Sequence, residues 1–482
     1  MTKRIAIVGA GISGLATAHY LRRGLSAAAL GADLVILESD RVPGGTMRTV
    51  REDGFFIEWG PNGFLANKPH TLDLVRELGM EARLQRSSDS ARRRYVFVRG
   101  RLRRMPETPF SFLASDLLTL PGRLRVLAEP FAPPPPAGKD ESVAEFASRR
   151  LGAEAMEKLI EPMTAGVFAG DPDKLSLGSC FPRIRELESR YGGLIKAMLS
   201  LRWERRMGRA SAVGPDGRPK EMSAGPGGAL TSFDNGVAVL IEALAGKLSS
   251  GLRLNAVVES IARRDGRWVL SVQDRDRRAE ESADAVVLAC PAHAASRIVG
   301  RLDPALADEL GLIPYVPVAV AALGYDAASL RRPLDGFGFL VPRTEGRRIL
   351  GALWDSSVFP GRAPQGRALV RVMVGGARQP ALARQREENI LALAREELAL
   401  TMGLRAEPVL AKVFAHERAI PQYPVGHAEA LGRIDGLVRA HQGLHLNSNA
   451  YLGIGLNDCV LRSRLAAERV LRDLAGPAAM LQ

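Results

Sequence analysis

Residues 3–23, KRIAIVGAGISGLATAHYLRR, pass from a short apolar strand through a glycine turn into a helix with no spacer between them. Lys3 to Val8 has the continuous apolar character of a strand covered on both faces in a parallel sheet. Gly9, Ala10, Gly11, Ile12, Ser13 and Gly14 follow in the G-x-G-x-x-G spacing. In that spacing Gly9 permits the tight turn, Gly11 lets a pyrophosphate approach the backbone, and Gly14 lets the helix lie close on the sheet. The helix start supplies free N–H groups and the positive end of its dipole. A second strand, Asp33 to Leu37, ends on Glu38, a carboxylate suited to a pair of ribose hydroxyls. A glycine turn alone is a weak signal. Strand, glycines, helix, strand and acid in that order predict a Rossmann-like dinucleotide-binding domain.

The next residues decide which dinucleotide. ESDRVPGGTMRT places Ser39 and Arg41 just after the acid, then Gly44, Gly45 and Thr46. A second glycine turn beside a cation suits a long cofactor whose pyrophosphate and ring need further backbone N–H contacts. This resembles the extended fingerprint of flavin-containing amine oxidases, phytoene desaturases and protoporphyrinogen oxidases, and implies non-covalent FAD. Near the C-terminus, GLHLNSNAYLGIGLNDCVLRSRLAAERVL is again strand, glycine turn and amphipathic helix. The N–H groups around Gly455, Leu456 and Asn457 open that helix and suit negative charge on a reduced flavin, and Ile454 just before them is a further expected cofactor contact.

Composition bounds the rest. The chain has 482 residues, 46% of them hydrophobic, enough for two or three cores. It starts MTKR and runs straight into a strand, without the pattern of a signal peptide, so an intracellular protein is expected. Cys180, Cys290 and Cys459 lie far apart, which argues against disulfides or a thiolate metal site. His441 and His445 flank Gly443 in a loop-like context and do not suggest a metal site. The net charge of +13 favours anionic partners without naming them.

Leu252 to Ile261, a hairpin about Asp265-Gly266, Trp268 to Val272 and Ala285 to Ala289 are read as three strands completing the cofactor domain. Residues 105–185 are mostly helical in pattern, with a capping box at Ser142 and Glu145 and a stiff proline run at Pro133 to Pro136. The run PFSFLASDLLTL, Pro109 to Leu120, is shorter than the roughly 20 apolar residues a bilayer requires. Flanked by arginines, it suits either one leaflet or a packed core. Residues 299–431 alternate strands with one clear helix, Glu387 to Leu400, and predict an antiparallel-sheet domain. Arg205 to Met222 reads as a polar loop. The expected division is 1–92, 228–298 and 432–482 for the FAD domain; 93–104, 186–227 and 299–431 for an α+β substrate domain; and 105–185 for a helical membrane-binding insert.

GFFIEWGPNGF (54–64), RYVFVRGRLRRMP, LIEPMTAGVFAGDPDKLS (159–176), GFGFLVPR, SSVFPGRAP and AIPQYPVGH run in order along nearly the whole chain. They resemble the oxygen-dependent protoporphyrinogen oxidases. The resemblance implies a tetrapyrrole substrate, molecular oxygen as acceptor, a homodimer, and attachment to the anionic inner face of the cell membrane from the cytoplasm, with no nucleic-acid partner. It adds Gly60, Pro61, Asn62, Gly63 and Val257 to the FAD contacts. It also places Arg94 at a propionate and Gly166, Leu334 and Leu350 around the ring, with Phe337 and Met373 as further candidates. One departure stands out: many relatives have two glycines where this chain has Asn447-Ser448.

A porphyrinogen is a flexible apolar ring with propionates on one edge, so an aliphatic pocket with a cation at its rim fits it. The implied chemistry is hydride loss from a methylene bridge, for which the protein orients and desolvates the ring. The sequence identifies no base. Coproporphyrinogen III oxidation, an FAD amine oxidase, and a non-enzymatic membrane-docked flavoprotein remain as alternatives.

Overall fold

The computed structural model describes residues 3–136, 138–207, 229–274, 277–331 and 333–475. Lys3–Val8 pairs in parallel with Ala32–Leu37 on one side and Ala285–Leu288 on the other. Leu252–Arg253 and Leu444–Leu446 extend this to five parallel strands. Alternate residues serve opposite faces. Ile5 and Ile7 pack with Leu15, Leu21 and Val460 of helices Ile12–Ala27 and Leu456–Ala475. Ala6 and Val8 pack with Trp268, Ala295 and Ile434 on the other side. Coverage on both faces is why the strand reads as an unbroken apolar run.

LRLNAVVESI is not one strand. Leu252–Arg253 joins the parallel sheet, Asn255 turns left-handed (φ 56°), and Ala256–Arg264 pairs antiparallel with Arg267–Asp274. Asp265 and Gly266, both at positive φ, make the expected hairpin turn. Arg277–Ala283 adds a strand the sequence hid, because apart from Ala279 its exposed residues are charged.

The larger sheet has seven strands in the order Leu410–Pro421, Tyr315–Asp326, Arg367–Gly375, Gly351–Leu353, Gly338–Leu340, Tyr95–Val98 and Arg101–Arg104. Every pairing is antiparallel except Gly338–Leu340 with Tyr95–Val98. The arginine-flanked stretch near residue 95 is thus an edge hairpin of a sheet otherwise built from residues 315–421. Helix Glu387–Met402 covers one face through Ile390, Leu393 and Leu398. The opposite face, with Val318, Val320, Leu350 and Met373, lines a cavity.

Residues between these sheets form short helices. Ser142 and Glu145 make the predicted capping box, each side chain bonded to the other's backbone N–H. Pro109–Ala114 is only a short helix; the chain then turns inward, burying Leu117 and Leu118, while Asp116 pairs with Arg103. Leu113, Leu120, Leu124, Leu127 and Phe131 stay exposed, Phe131 by 89%. Among the described residues no helix is long and apolar enough to cross a membrane. Most of the loop Arg205 to Met222 lies outside the described residues.

Candidate active site

The glycine turn forms a cradle open on one side. A Cβ on Gly14 would lie 1.9 Å from the Gly9 carbonyl oxygen, so glycine there is imposed by the turn itself. Gly11 has nothing within 4 Å of where a Cβ would sit, and a Cβ on Gly45 would find only the Gly11 Cα, at 4.0 Å. The two turns face each other across free space. Gly11 caps helix Ile12–Ala27 without a side-chain hydrogen bond, leaving the first N–H groups, those of Ile12, Ser13 and Gly14, for another acceptor. Glu38 is fixed by accepting from the backbone N–H of Ala10 (2.7 Å) and Asp40 (2.9 Å). Val257 is exposed on the strand entered through Ala256, whose N–H bonds the Glu38 carbonyl. Ser39 donates its hydroxyl to Glu38, and Arg41 is exposed nearby.

Arg48, three residues past the glycine pair, was not singled out in the sequence although its signal lay in GGTMRT. Its guanidinium pairs with Asp40, stacks on Trp59 (4.8 Å to the ring centre) and keeps a buried Nε with no partner. Free helix N–H groups, an open glycine cleft and an orphaned guanidinium nitrogen fit a dinucleotide pyrophosphate.

Asn447, at the departure from the double glycine, is buried. Its amide donates to Thr17 Oγ1 (2.8 Å), Ser463 Oγ (3.0 Å) and the Ser13 carbonyl (3.3 Å), tying the first helix to the last.

A cavity of about 410 Å³ leads away from this cradle. Ile12, Thr46, Gly60, Pro61, Asn62, Ile454 and Leu456 line its cofactor end. Gly166, Phe337, Leu350 and Met373 line the far end. A Cβ on Gly166 would meet the Leu340 Cδ2 methyl at 2.8 Å, so a larger residue there would displace the end of that side chain. Gly63 lies outside the lining and instead permits strand contact, its Cβ position being 2.3 Å from the Thr231 carbonyl oxygen. Gly455 sits at the start of the last helix, close to Asp458. Leu334 is not brought to the cavity; it packs on the helix-covered face of the large sheet.

The wall Trp59 to Asn62 is held from behind by buried charges. Arg371, fully buried, pairs with Asp355 and donates to the carbonyls of Glu58 (2.8 Å) and Gly60 (3.3 Å). Asp355 in turn accepts from Asn62 Nδ2 (3.0 Å), leaving Asn62 Oδ1 without a partner. Glu58 and Arg362 form a second buried pair (3.1 Å), and burial raises the Glu58 pKa against the pull of Arg362.

Arg94 does not line the cavity, but its guanidinium lies 5.5 Å from the centre of the Phe337 ring, which does. Its neighbours are neutralised: Arg93 by Asp335, Arg103 by Asp116, Arg104 by Glu107. Arg94 is half-buried with no carboxylate partner among the described residues, and burial lowers its pKa.

Residues 12–471 match the family model of the flavin containing amine oxidoreductases. The chain belongs to this family. As a member it is an FAD-dependent oxidoreductase, and the cradle above fits that cofactor. Among curated relatives of this flavin amine oxidoreductase, the chloroplastic protoporphyrinogen oxidase of Nicotiana tabacum is 32% identical over 94% of this chain and 83% of its own. The coproporphyrinogen III oxidase of Bacillus subtilis (strain 168) is 29% identical over 98% of both chains. A crystal structure from Exiguobacterium sp. 255-15 matches with a TM-score of 0.81 at 27% identity, covering 99% of this chain and 100% of that one.

The flavoprotein's cavity also contains residues the sequence did not suggest: Trp59, Ala165, Val318, Val320, Phe339, His416, Ile420 and Cys459. His416 and Cys459 are its titratable members among the described residues, and no carboxylate lines it. Burial pushes the Cys459 thiol up to about 12, so it stays protonated.

Proposed function

We propose that this oxidoreductase oxidises protoporphyrinogen IX to protoporphyrin IX in haem biosynthesis, with oxygen as final acceptor and hydrogen peroxide as co-product. The observation that carries this reading is one aliphatic cavity joining the dinucleotide cradle to Gly166, Leu350 and Met373, with a half-buried arginine behind Phe337. Bound FAD supplies the acceptor for the two electrons lost from the ring in each of three rounds. Val318, Val320, Leu350 and Met373 exclude water and press the ring toward the Gly60–Asn62 wall. Asn62 Oδ1 offers an acceptor to a pyrrole N–H. Arg94, through a shift of Phe337, meets a propionate. An amine substrate is disfavoured because no carboxylate lines the cavity to receive an ammonium.

The full-length match to a coproporphyrinogen III oxidase supports a second reading in which the four-propionate ring is the substrate. Purified holoenzyme supplied with each porphyrinogen, followed by porphyrin fluorescence and oxygen uptake, separates them. A higher kcat/KM for protoporphyrinogen IX upholds the first reading, the reverse upholds the second, and turnover of neither rejects both.

The division into FAD, substrate and insert regions belongs to this proposal, as do a homodimer and peripheral attachment at the cytoplasmic face of the membrane. The exposed row Leu113, Leu120, Leu124, Leu127 and Phe131, with Met198, Leu199 and Trp203, supports attachment through the insert. Flotation with anionic vesicles should exceed that with neutral ones. It should weaken at 1 M salt, where the Debye length is about 3 Å. Equal flotation would remove the electrostatic part of this reading.

A further inference from the structure

Resting on the porphyrinogen reading, we infer that His416 is the base that takes the pyrrole N–H proton in each oxidation round. Loss of two electrons as hydride from a methylene bridge leaves a cation conjugated with the neighbouring pyrrole. Neutrality returns only when an N–H bond breaks. In this step the proton passes to His416 Nδ1 and the N–H electron pair closes the new C=N bond, while the hydride pair goes to the FAD acceptor of the proposed reaction. Three rounds remove three bridge hydrides and three N–H protons, and transfer of one hydrogen from the fourth bridge to a ring nitrogen by tautomerisation leaves the two N–H groups of protoporphyrin IX.

Register puts the imidazole in place. His416 stands opposite Val318 in the antiparallel pair Leu410–Pro421 with Tyr315–Asp326, and opposite residues share a face. Val318 and Val320 both line the cavity, so His416 does too. The register then shifts between Val316 and Val318, bulging residues 417–419 and returning Ala419 and Ile420 to the cavity wall.

The tautomer is fixed as well. The Trp59 carbonyl lies 3.1 Å from His416 Nε2, and a carbonyl only accepts, so Nε2 carries the hydrogen. Nδ1 keeps its lone pair and has no hydrogen-bond partner among the described residues. Desolvation first, then the nearby Arg48 charge, lowers the imidazole below its ordinary 6.5 despite the Trp59 bond, so it is neutral at pH 7. The charges around it are few. Arg48 is shared with Asp40, the facing strand presents Val318 and Val320, and Cys459 is protonated. On its own strand, Glu417 and Arg418 are exposed in the bulge, Glu417 paired with Arg384. The other polar lining groups, such as Asn62 and Thr46, accept hydrogen bonds but cannot remove a proton.

The test is anaerobic stopped-flow of holoenzyme with saturating protoporphyrinogen IX, following loss of flavin absorbance from pH 5 to 9. Wild type should show an acid limb below pH 6.5, where protonation removes the lone pair. His416→Gln keeps a donor for Trp59 but cannot act as a base. It should slow bleaching by on the order of a hundredfold or more, abolish that limb and leave protoporphyrin IX affinity unchanged by fluorescence titration. His416→Ala should regain rate in proportion to added free-base imidazole. A wild type whose pH profile of bleaching is the same as that of His416→Gln overturns the assignment. A His416→Gln enzyme that bleaches at the wild-type rate, or loses only porphyrin affinity, overturns it too. A wild type that porphyrinogen does not bleach fails at the earlier reading instead.

Discussion

The two ends of the cavity are built by different means. The cradle is made of backbone: its shape is set by Gly9, Gly11, Gly14, Gly44 and Gly45 and by N–H groups at a helix start. The far end is made of side chains held in place by sheet register and by buried ion pairs behind the wall. Backbone sites announce themselves in a sequence because only certain residues permit them. Side-chain sites depend on which strands meet, and that is settled far along the chain.

The sharpest way to break this comparison lies in the cradle. Gly14→Val forces a Cβ into the Gly9 carbonyl, so the first strand–turn–helix should not close; soluble, flavin-loaded protein is not expected. At Gly11 an added Cβ meets no protein atom within 4 Å. Gly11→Val should therefore fold with a near-native Tm and a native circular dichroism spectrum yet purify without yellow colour. Full flavin occupancy in Gly11→Val would mean the cleft between Gly11 and Gly45 is not the pyrophosphate site.

Behind the pocket, Asp355→Ala leaves Arg371 charged, buried and without its carboxylate. Removing one partner of a buried pair costs about 3–5 kcal/mol. Urea unfolding should show that loss, together with weaker flavin retention, because the Gly60–Asn62 wall is released. A change under about 1 kcal/mol would show that the wall is held by packing alone.

Acid should then separate the regions. Burial lowers the pKa of His19, His293, His427 and His445, with His293 and His445 down to about 4; all four sit on elements around the parallel sheet. On the seven-stranded sheet His416 is the lowered imidazole among the described residues. The unfolded chain binds protons on these groups below about pH 6.5 and the folded one resists, so stability falls as pH drops from 6.5 toward 4. His445 alone contributes roughly 3 kcal/mol across that window. Hydrogen exchange at pH 5 should quicken first in strand Leu444–Leu446 and its neighbours, and uniform quickening would contradict the division.

The smallest effect is expected at the rim. A charge-assisted hydrogen bond is worth about 1.5–3 kcal/mol, so Arg94→Ala should lower kcat/KM roughly tenfold to a hundredfold, mainly through KM. Unchanged kinetics would remove Arg94 from the substrate.

The same contrast explains what could be read in advance. The turns at GAGISG and Gly44-Gly45 were legible because glycine spacing constrains the backbone locally. The arginine stretch was grouped in advance with residues 299–431, but its hairpin turn at Arg99-Gly100, both at positive φ, and its single parallel pairing to that sheet were not read from the sequence. His416 gave no signal: an isolated histidine in KVFAHERAIP gains meaning only opposite Val318. Leu334, expected beside the ring, sits one strand-connection away on the helix-covered face, a distinction that spacing alone does not resolve.

Asn447 reaches Thr17 across 430 positions of chain. During translation at about 5–20 residues per second, the glycine turn emerges from the ribosome roughly 20 to 90 seconds before the residue that clamps its helix. Until then the first helix lacks the amide that ties it to the last, and the parts of the cleft from the two ends of the chain meet only near the end of synthesis.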